Sequence, residues 1–495
     1  MVSCRTTIAV LLADRVLEGV EANPDALACV SGDEALTYRG FLALWSVATR
    51  YFHEQGVGAG EPVGLTMSQS TLHLVAFLAL SRLGALVVPM SPFLRPADRA
   101  AVLAKYGVRT WVRDREAEHL PGVRVLLVRG VRADGSESKL DYSGFVPAAA
   151  SPMRIALTSG TTGTPKGTLQ TQQRFVRRLD RMECDVVESP RVIPPNLHLT
   201  TSLTQAMHAL CAGGTVVLPR GYENEPFFDA IRRHEVTHAA LPPANLMLML
   251  AALPDAGPGF PSIRHLRLLG ATPSLALLDL ARRRFSPNVF VPYSLGEIGL
   301  VSMATPEILA RHPRSSGPLM ADMRFEVLDP EGRVLPRGAP GEVRVAFDGM
   351  PTEYYGPDAG DSSRFRDGWF HPGDVASLSP EGLVFVEGRV DDVINLGGRK
   401  VAPRFVESLL EEYPGVREAA VYVEGEGIAG QRLAAAIVPS GALDWRALAL
   451  HAARDLEVRA PSRYFEVASL PRNAMGKLMR GDLAAWMEAH GKSRT

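Results

Sequence analysis

The sequence has little cysteine, no excess of charge of either sign and no long uninterrupted apolar run. Its four cysteines, Cys4, Cys29, Cys184 and Cys211, are scattered over 495 residues, and none forms a C-x-x-C pair. This spacing matches neither a zinc site nor a disulfide framework. We therefore expect buried free thiols in a reducing compartment.

The charge balance gives no sign of a polyanionic partner. The chain carries 53 basic and 54 acidic side chains, for a net charge of −1. A protein that binds nucleic acid or an anionic membrane usually has a basic excess. We expect neither kind of partner.

No segment has the pattern of a targeting or membrane-spanning sequence. The apolar run near the N-terminus is interrupted by Asp14 and Arg15, and no small-residue cleavage site follows it, so it predicts an amphipathic helix. The most apolar stretch, Leu72 to Met90, contains a histidine, an arginine and a glycine. It is too broken to span a bilayer. The sequence therefore predicts a cytoplasmic protein without a membrane span.

The first half of the chain alternates strand and helix patterns. Pro62–Met67 reads as a strand, Thr71–Leu83 as a helix, Ala85–Pro89 as a strand and Asp98–Tyr106 as a helix. Strands that alternate with helices of about ten residues are typical of parallel, doubly wound sheets. We predict an α/β fold.

The pattern changes twice towards the C-terminus. After about residue 315, short strands are separated by Gly/Pro turns, which favours a small antiparallel β subdomain. Beyond Arg389 helices and strands are mixed again, over a length that can fold alone. We therefore predict a large N-terminal domain, residues 1–390, and an α+β C-terminal domain, residues 391–495.

A segment rich in glycine and hydroxyl groups follows the predicted strand Arg154–Leu157. Its residues are Thr158, Ser159, Gly160, Thr161, Thr162, Gly163, Thr164, Pro165, Lys166 and Gly167. Successive amide groups, hydroxyls and a lysine can surround phosphate oxygens. Pro165 stands where the common nucleotide loop G-x-x-x-x-G-K-[ST] has glycine. A flexible surface loop has the same composition, so composition alone leaves both interpretations open.

This segment resembles the phosphate-loop signature of the adenylate-forming superfamily, which includes acyl-CoA synthetases, nonribosomal adenylation domains and luciferases. Other segments resemble the superfamily's motifs in the same order over nearly the whole chain. They are PNLH at 195–198, LGATPS at 269–274, YSLGE at 293–297, GWFHPGD at 368–374, GRVDDVINLGGRK at 388–400 and LPRNAMGK at 470–477. An ordered set of matches is far more specific than any one of them.

The resemblance implies a role for each motif residue. Thr158 to Thr164 and Lys166 would bind the phosphates of ATP, and Glu297 would bind Mg²⁺. Asp374 would bind the ribose hydroxyls, and Arg389 the ribose or the α-phosphate. The nucleotide-binding set is completed by four further residues: Gly270, Ala271, Tyr293 and Ser294.

The resemblance also implies catalytic and hinge residues. Lys477 would reach the reacting carboxylate and the α-phosphate, where negative charge develops. His198 would lie beside the acyl pocket. The C-terminal domain would be a mobile lid, with Asp391 as its hinge. Gly397 and Gly398 would lie on a strand beside the thiol tunnel, or else in an ordinary hairpin turn.

Three features depart from the superfamily pattern or mislead. Gly296 replaces the usual threonine and removes one hydroxyl contact to phosphate, for which Ser294, the backbone or water would have to compensate. The F-D-x-S pattern of amino-acid-activating members is absent around His198. Gly425–Gly430 spells G-x-G-x-x-G, but a strand-like segment follows it, which indicates a hairpin loop and not a dinucleotide site.

The sequence thus predicts an acid–thiol ligase that uses ATP and Mg²⁺ to activate a carboxylic acid and transfers the acyl group to a thiol. The expected acceptor is coenzyme A. One alternative is the phosphopantetheine of an acyl carrier protein, loaded by a stand-alone adenylation enzyme. Another, from a different class, is a non-catalytic nucleotide-binding regulatory homologue. The identity of the acid and the oligomeric state, including a homodimer, stay open.

Overall fold

The computed structural model describes most of the chain. The described residues are 11–494 except 117–119, 130–146, 158–164, 183–188, 220–223, 254–256, 258, 362, 397–398, 426–431, 457–459 and 473–477. The chain divides into two compact units: Met1–Ala240 with Leu295–Gly299 and Asp348–Phe365, and Leu241–Ser294 with Leu300–Phe347 and Arg366–Thr495. Each unit is therefore built from segments that are not contiguous in sequence.

Helices and strands alternate through the first unit. They are α1 Leu12–Ala22, β1 Leu27–Ser31, β2 Glu34–Thr37, α2 Tyr38–Glu54, β3 Pro62–Thr66, α3 Thr71–Arg82, β4 Leu86–Pro89, α4 Pro96–Lys105, β5 Thr110–Arg113, β6 Arg124–Leu127, β7 Pro152–Leu157, β8 Gly167–Thr171, α5 Gln172–Asp180, β9 Arg191–Ile193, α6 Thr200–Cys211, β10 Thr215–Leu218, α7 Asn224–Arg233 and β11 His238–Leu241.

Two sets of largely parallel strands organise this unit. One sheet has the order β6-β5-β3-β4-β7-β8, in which only β8 runs antiparallel to its neighbour. In the other set β1 pairs with β2 antiparallel and with β10 parallel, and β9 pairs in parallel with both β10 and β11. Helix α3 is buried along its whole length, because it packs against α2, β4 and β1.

The predicted elements of this unit agree with the structure to within a few residues. The largest differences among those named above are two residues: β7 begins at Pro152 and not at Arg154, and α4 begins at Pro96 and not at Asp98. Proline is well suited to the first turn of a helix, because its fixed φ is already helical. It also lacks an amide hydrogen at a position where that hydrogen would have no partner within the helix.

The second unit begins with two more helix–strand repeats and then changes to antiparallel pairing. Its elements are α8 Pro243–Ala252, β12 His265–Leu268, α9 Leu275–Arg284, β13 Val289–Leu295, β14 Gly299–Ala304, α10 Pro306–Arg311, β15 Arg324–Leu328, β16 Gly341–Ala346, β17 Phe365–Arg366, β18 Trp369–Phe370, β19 Asp374–Leu378, β20 Val384–Arg389, β21 Ile394–Leu396, β22 Arg399–Val401, α11 Pro403–Glu411, β23 Val416–Glu424, β24 Arg432–Pro439, α12 Trp445–Leu456, β25 Arg463–Glu466, α13 Leu483–His490 and β26 Lys492–Ser493.

In the described part of this unit the strands pair in four groups, one of which is the antiparallel pair β21–β22. β12 and β13 are parallel neighbours. An antiparallel sheet has the order β17-β18-β16-β19-β20, with β15 also paired to β16. The C-terminal sheet has the order β23-β24-β25-β26, in which only the central pair is parallel. The predicted α/β fold with an antiparallel subdomain and an α+β C-terminal part is confirmed.

The G-x-G-x-x-G segment connects two antiparallel strands. β23 ends at Glu424 and pairs with β24, which begins at Arg432. Most of the segment, residues 426–430, lies outside the described residues, but a strand and not a helix follows it. A dinucleotide site needs a helix at that place.

The boundary predicted at residues 390 and 391 stays a prediction. None of the described helices is both long and apolar enough to cross a membrane.

Phe41 and Phe93 give a test of the first unit's core. Phe41 on α2 has no exposed surface, whereas the side chain of Phe93 is 70% exposed. We expect Phe41→Ala to lower the free energy of unfolding by about 3–5 kcal/mol, because it removes buried apolar surface and leaves a cavity. Phe93→Ala should change it by less than about 0.5 kcal/mol. Urea denaturation followed by circular dichroism measures both; equal effects would contradict the packing described.

Candidate active site

The carboxylate of Asp374 is hydrogen-bonded on both of its oxygens. Asp374 begins β19, lies opposite Arg389 of β20 in the antiparallel register and is 6% exposed. Its Oδ1 accepts from Nη1 of Arg389 at 3.0 Å, and its Oδ2 accepts from the hydroxyl of Tyr293 at 2.6 Å. Three of the predicted nucleotide-binding residues are therefore in direct contact.

A glycine shapes the turn that leads into Asp374. Gly373 has φ of 72°, a value that L side chains rarely adopt, and its carbonyl accepts from the backbone amide of Val390. The predicted hinge residue Asp391 is exposed, and its Oδ2 lies 3.8 Å from Nη2 of Arg389. Arg389 therefore lies close to both Asp374, the predicted ribose ligand, and Asp391, the predicted hinge residue.

The remaining nucleotide-binding candidates of this unit lie at one edge of the parallel pair β12–β13. Gly270 and Ala271 follow the carboxyl end of β12, and Ser294 lies at the carboxyl end of β13. All three are exposed. Ligands of α/β proteins bind outside the carboxyl ends of parallel strands. This edge is therefore a suitable place for a nucleotide.

In the first unit, Lys166 is held by residues that the sequence analysis missed. It follows the loop 158–164, which lies outside the described residues, as does Lys477. Its ammonium group forms an ion pair with Asp361 and lies 5.2 Å from the ring centroid of Tyr354. The pairing with Lys166 holds the pKa of the Asp361 carboxyl below its usual range. No local pattern reveals this pair, because 195 residues separate its members.

The same segment supports the C-terminal end of the loop. The amide of Tyr355 donates to the carbonyl of Gly167 at 2.7 Å. Lys105 donates to the carbonyl of Pro165 at 2.9 Å and forms an ion pair of 2.7 Å with Asp358. Tyr355 and Asp358 thus help to hold the backbone that follows residues 158–164.

Glu297 and His198 also belong to the first unit. The backbone carbonyl of Glu297 accepts from the hydroxyl of Thr168 at 3.4 Å, and its side chain is half-buried. The carbonyl of His198 accepts from Nη2 of Arg154 at 2.9 Å. Burial, and to a lesser extent the charge of Arg154, lowers the pKa of His198 to about 4. The imidazole is therefore neutral at physiological pH.

A metal could be bound here only with help from other ligands. Among the described residues, no group of three or more His, Cys, Asp or Glu side chains is placed to hold a metal ion. A single carboxylate such as that of Glu297 fits Mg²⁺, which keeps several waters and usually binds through one or two carboxylates and the substrate's phosphates.

Comparison with known proteins identifies the family. The sequence profile "AMP-binding enzyme" matches residues 16–355, and "AMP-binding enzyme C-terminal domain" matches residues 406–477. The chain belongs to the AMP-binding enzyme family. The match covers more than half of the chain, and the predicted superfamily is confirmed.

Three relatives of this AMP-binding enzyme are similar along nearly their whole length. A fatty acid–acyl-carrier-protein ligase of Streptomyces coeruleorubidus is 27% identical, over 86% of this chain and 87% of the relative. The sulfoacetate–CoA ligase of Cupriavidus necator is 27% identical, over 96% of each chain. The 2-succinylbenzoate–CoA ligase of Bacillus licheniformis is 28% identical, over 94% and 97%. The prediction of an acid–thiol ligase is confirmed.

Two solved structures share the fold. The o-succinylbenzoate CoA synthetase of Bacillus subtilis, in complex with ATP and a magnesium ion, is 24% identical with a TM-score of 0.80, over 95% of this chain and 98% of the other. The amide bond synthetase of Marinactinospora thermotolerans is 23% identical with a TM-score of 0.82, over 96% and 99%. Both likenesses concern the fold alone.

Asp374→Asn tests the nucleotide site of this AMP-binding enzyme. The amide keeps the volume but places an NH₂ group where a donor already points, so we expect AMP affinity to fall by about tenfold or more. Asp367→Asn is the matched control, because Asp367 is exposed and its φ of 52° suits asparagine equally well. Isothermal titration with AMP measures both variants. Equal affinities would rule out the assignment of Asp374.

The protonation state of His198 can be measured directly. Since burial lowers its pKa to about 4, we expect the His198 ring resonance to stay unchanged between about pH 6 and pH 8, where an ordinary histidine titrates. Histidine-selective labelling and NMR provide the measurement, and His198→Gln assigns the resonance. A midpoint inside that interval would show that the ring is solvated.

Proposed function

We propose that this enzyme uses ATP to convert a carboxylic acid to an acyl-adenylate and then transfers the acyl group to the thiol of coenzyme A. The observation that carries the proposal is the carboxylate of Asp374 placed between the Tyr293 hydroxyl and the Arg389 guanidinium. An oriented carboxylate is an acceptor for the two adjacent hydroxyls of a ribose. The family assignment supports the same nucleotide.

The phosphates of ATP are assigned to the first unit. The loop 158–164 supplies amide and hydroxyl donors, and Lys166 supplies a positive charge. The loop residues are Thr158, Ser159, Gly160, Thr161, Thr162, Gly163 and Thr164. The ion pair with Asp361 keeps that charge at the end of the loop until phosphate oxygens compete for it. Glu297 is the proposed ligand of Mg²⁺, which when bound neutralises charge on the phosphates.

The first chemical step joins the acid to the nucleotide. A carboxylate oxygen attacks the α-phosphorus, a new O–P bond forms, and pyrophosphate leaves with the electron pair of the bond that breaks. Lys477 is proposed to stabilise the negative charge that develops between the carboxylate and the α-phosphate. The neutral imidazole of His198 borders the acyl group.

The second step releases AMP. The thiolate of the acceptor attacks the acyl carbon, a thioester forms, and the oxygen shared with the α-phosphate leaves on AMP. We propose that residues 391–495 form a lid that turns about Asp391 between the steps, which withdraws Lys477 and admits the thiol. The domain boundary at residues 390 and 391 belongs to this proposal.

One alternative acceptor remains. A carrier-protein phosphopantetheine can replace coenzyme A without a change in chemistry, and one of the relatives is named for such an acceptor. The non-catalytic regulatory homologue that Gly296 suggested is at odds with the similarity to acid–thiol ligases. A cytoplasmic location and a homodimer stay predictions.

The decisive experiment separates these alternatives. Pyrophosphate release is screened over short, medium, aromatic and β-amino acids, and the thioester step is then run with free coenzyme A and with a panel of holo-carrier proteins. Acid-dependent pyrophosphate release with thioester formation on coenzyme A is the expected result. Transfer to a carrier protein but not to coenzyme A would make phosphopantetheine the acceptor. No pyrophosphate release with any acid tested would overturn the proposed activity and favour the regulatory homologue.

Lys477→Ala separates the two half-reactions. We expect acyl-adenylate formation to fall by about a hundredfold or more, since a cation at the developing charge is removed. Thioester formation from supplied acyl-adenylate should stay within about threefold. Lys492→Ala is the control, because Lys492 is an exposed lysine on β26. Rapid-quench assays measure each step, and a loss of both steps would contradict the alternating lid.

A further inference from the structure

Arg154 is a buried cation for which the described residues provide no acidic partner. It lies on β7 with no exposed surface, directly opposite Gln170 of β8. Its Nη2 donates to the carbonyl of His198, whereas its Nε and Nη1 have no hydrogen-bond partner among the described residues. Burying an ionised group without a counter-charge costs several kcal/mol in proteins. Buried charges of this kind are more frequent at ligand-binding and active sites than elsewhere in proteins.

A second guanidinium shares this environment. Arg178 lies on α5, is half-buried and forms no ion pair with a carboxylate in the described part of the chain. Burial, followed by the charge of Arg178, lowers the pKa of Arg154 to about 9. Burial, followed by Arg181, lowers the pKa of Arg178 to about 10. Both groups therefore stay protonated at neutral pH and repel each other.

The groups around this pair do not neutralise it. His198 and His73 have pKa values lowered mainly by burial to about 4 and about 3, so both rings are uncharged at neutral pH. The acidic groups that act on the cluster are Glu297, towards Arg178, and Asp114, towards His73. Arg154 and Arg178 carry two positive charges, and Glu297 is the one carboxylate among the described residues that acts on either of them. The pair therefore keeps a net positive charge.

The backbone beside Arg178 leaves room for its guanidinium. Gly299 has φ of 100°, and a Cβ added there would lie 3.3 Å from Cζ and Nη2 of Arg178. A larger side chain at this position would press against the guanidinium. The charged group thus lies against bare backbone, two residues beyond Glu297.

We propose that Arg178, backed by Arg154, binds a second anionic group on the acid substrate, a carboxylate or a sulfonate remote from the carboxylate that is activated. The inference rests on the proposed function and names the substrate class for that site. A bound anion would relieve the repulsion between the two guanidiniums and would give Arg178 an ion-pair partner. Arg154 donates to the carbonyl of His198, the residue assigned to the acyl pocket. This contact favours the acid over the phosphates of ATP as the source of the anion.

The substrate arm compares acids that differ in one charge. Pyrophosphate release is measured with succinate, adipate, suberate and 3-sulfopropionate, and with the monomethyl esters of the three dicarboxylates. For at least one chain length we expect kcat/KM to be about tenfold or more higher for the dianion than for its monoester. A preference for the monoesters at every length would overturn the proposal.

The variant arm assigns the effect to Arg178. Arg178→Gln should raise KM for the preferred dianion about tenfold or more, with KM for ATP and for the monoester within about twofold. Arg178→Lys should recover part of the loss, because it restores the charge. Arg177→Gln, which changes the exposed neighbour on the same helix, should leave every parameter unchanged. A rise in KM for ATP with all acids would assign the cation to the phosphates and overturn the proposal.

A binding measurement keeps this inference separate from the proposed function. If no acid causes pyrophosphate release, the activity proposal fails, and adipate and monomethyl adipate are then titrated calorimetrically into the wild-type protein and Arg178→Gln. Tighter binding of adipate, lost in the variant, would support the anion site. Equal binding of both probes would refute it. Thermal melting shows that each variant is folded.

Discussion

A carboxylate that is almost removed from water needs partners, and Asp374 obtains them from two other strands. Tyr293 comes from the parallel pair β12–β13, and Arg389 from the antiparallel neighbour β20. Leaving such a charge unpaired would cost several kcal/mol, so the three elements are held in one arrangement. The turn at Gly373 and the exposed residue Asp391 lie beside this contact. The proposed nucleotide site is thus built around a buried charge.

In the first unit, by contrast, Arg154 is buried and no carboxylate among the described residues pairs with it. Within the same part of the chain its one hydrogen bond goes to the carbonyl of His198, and Arg178 adds a second positive charge. A well-packed apolar side chain at position 154 would avoid this cost. Stability alone therefore does not account for the arginine. In the described part of the chain, Asp374 is a buried charge that the protein's own residues satisfy, whereas Arg154 is one that they do not. A buried charge of the second kind points to an outside ligand.

The helices and strands that depend on local periodicity, and the motifs, could be predicted from the sequence. Strand and helix patterns located β3, α3 and β4 closely, and the order of motifs brought Tyr293, Asp374 and Arg389 into one prediction. The pairs Lys166–Asp361 and Arg154–His198 were not foreseen, because each joins distant segments and depends on tertiary packing. The burial of Arg154 was hidden for a similar reason, since a charged residue at the start of a strand suggests exposure. The roles of the site residues remain predictions.

The segmented first unit has a consequence for evolution and for protein engineering. Residues 295–299 and 348–365 complete it, and they carry Glu297 and Asp361. A crossover between two related genes near residue 240 would therefore combine a lysine from one parent with an aspartate from the other. Chimeras that inherit all three segments together preserve these co-adapted partners, whereas a simple exchange of halves does not. Modular exchange in this enzyme is governed by which segments fold together and not by their order along the gene.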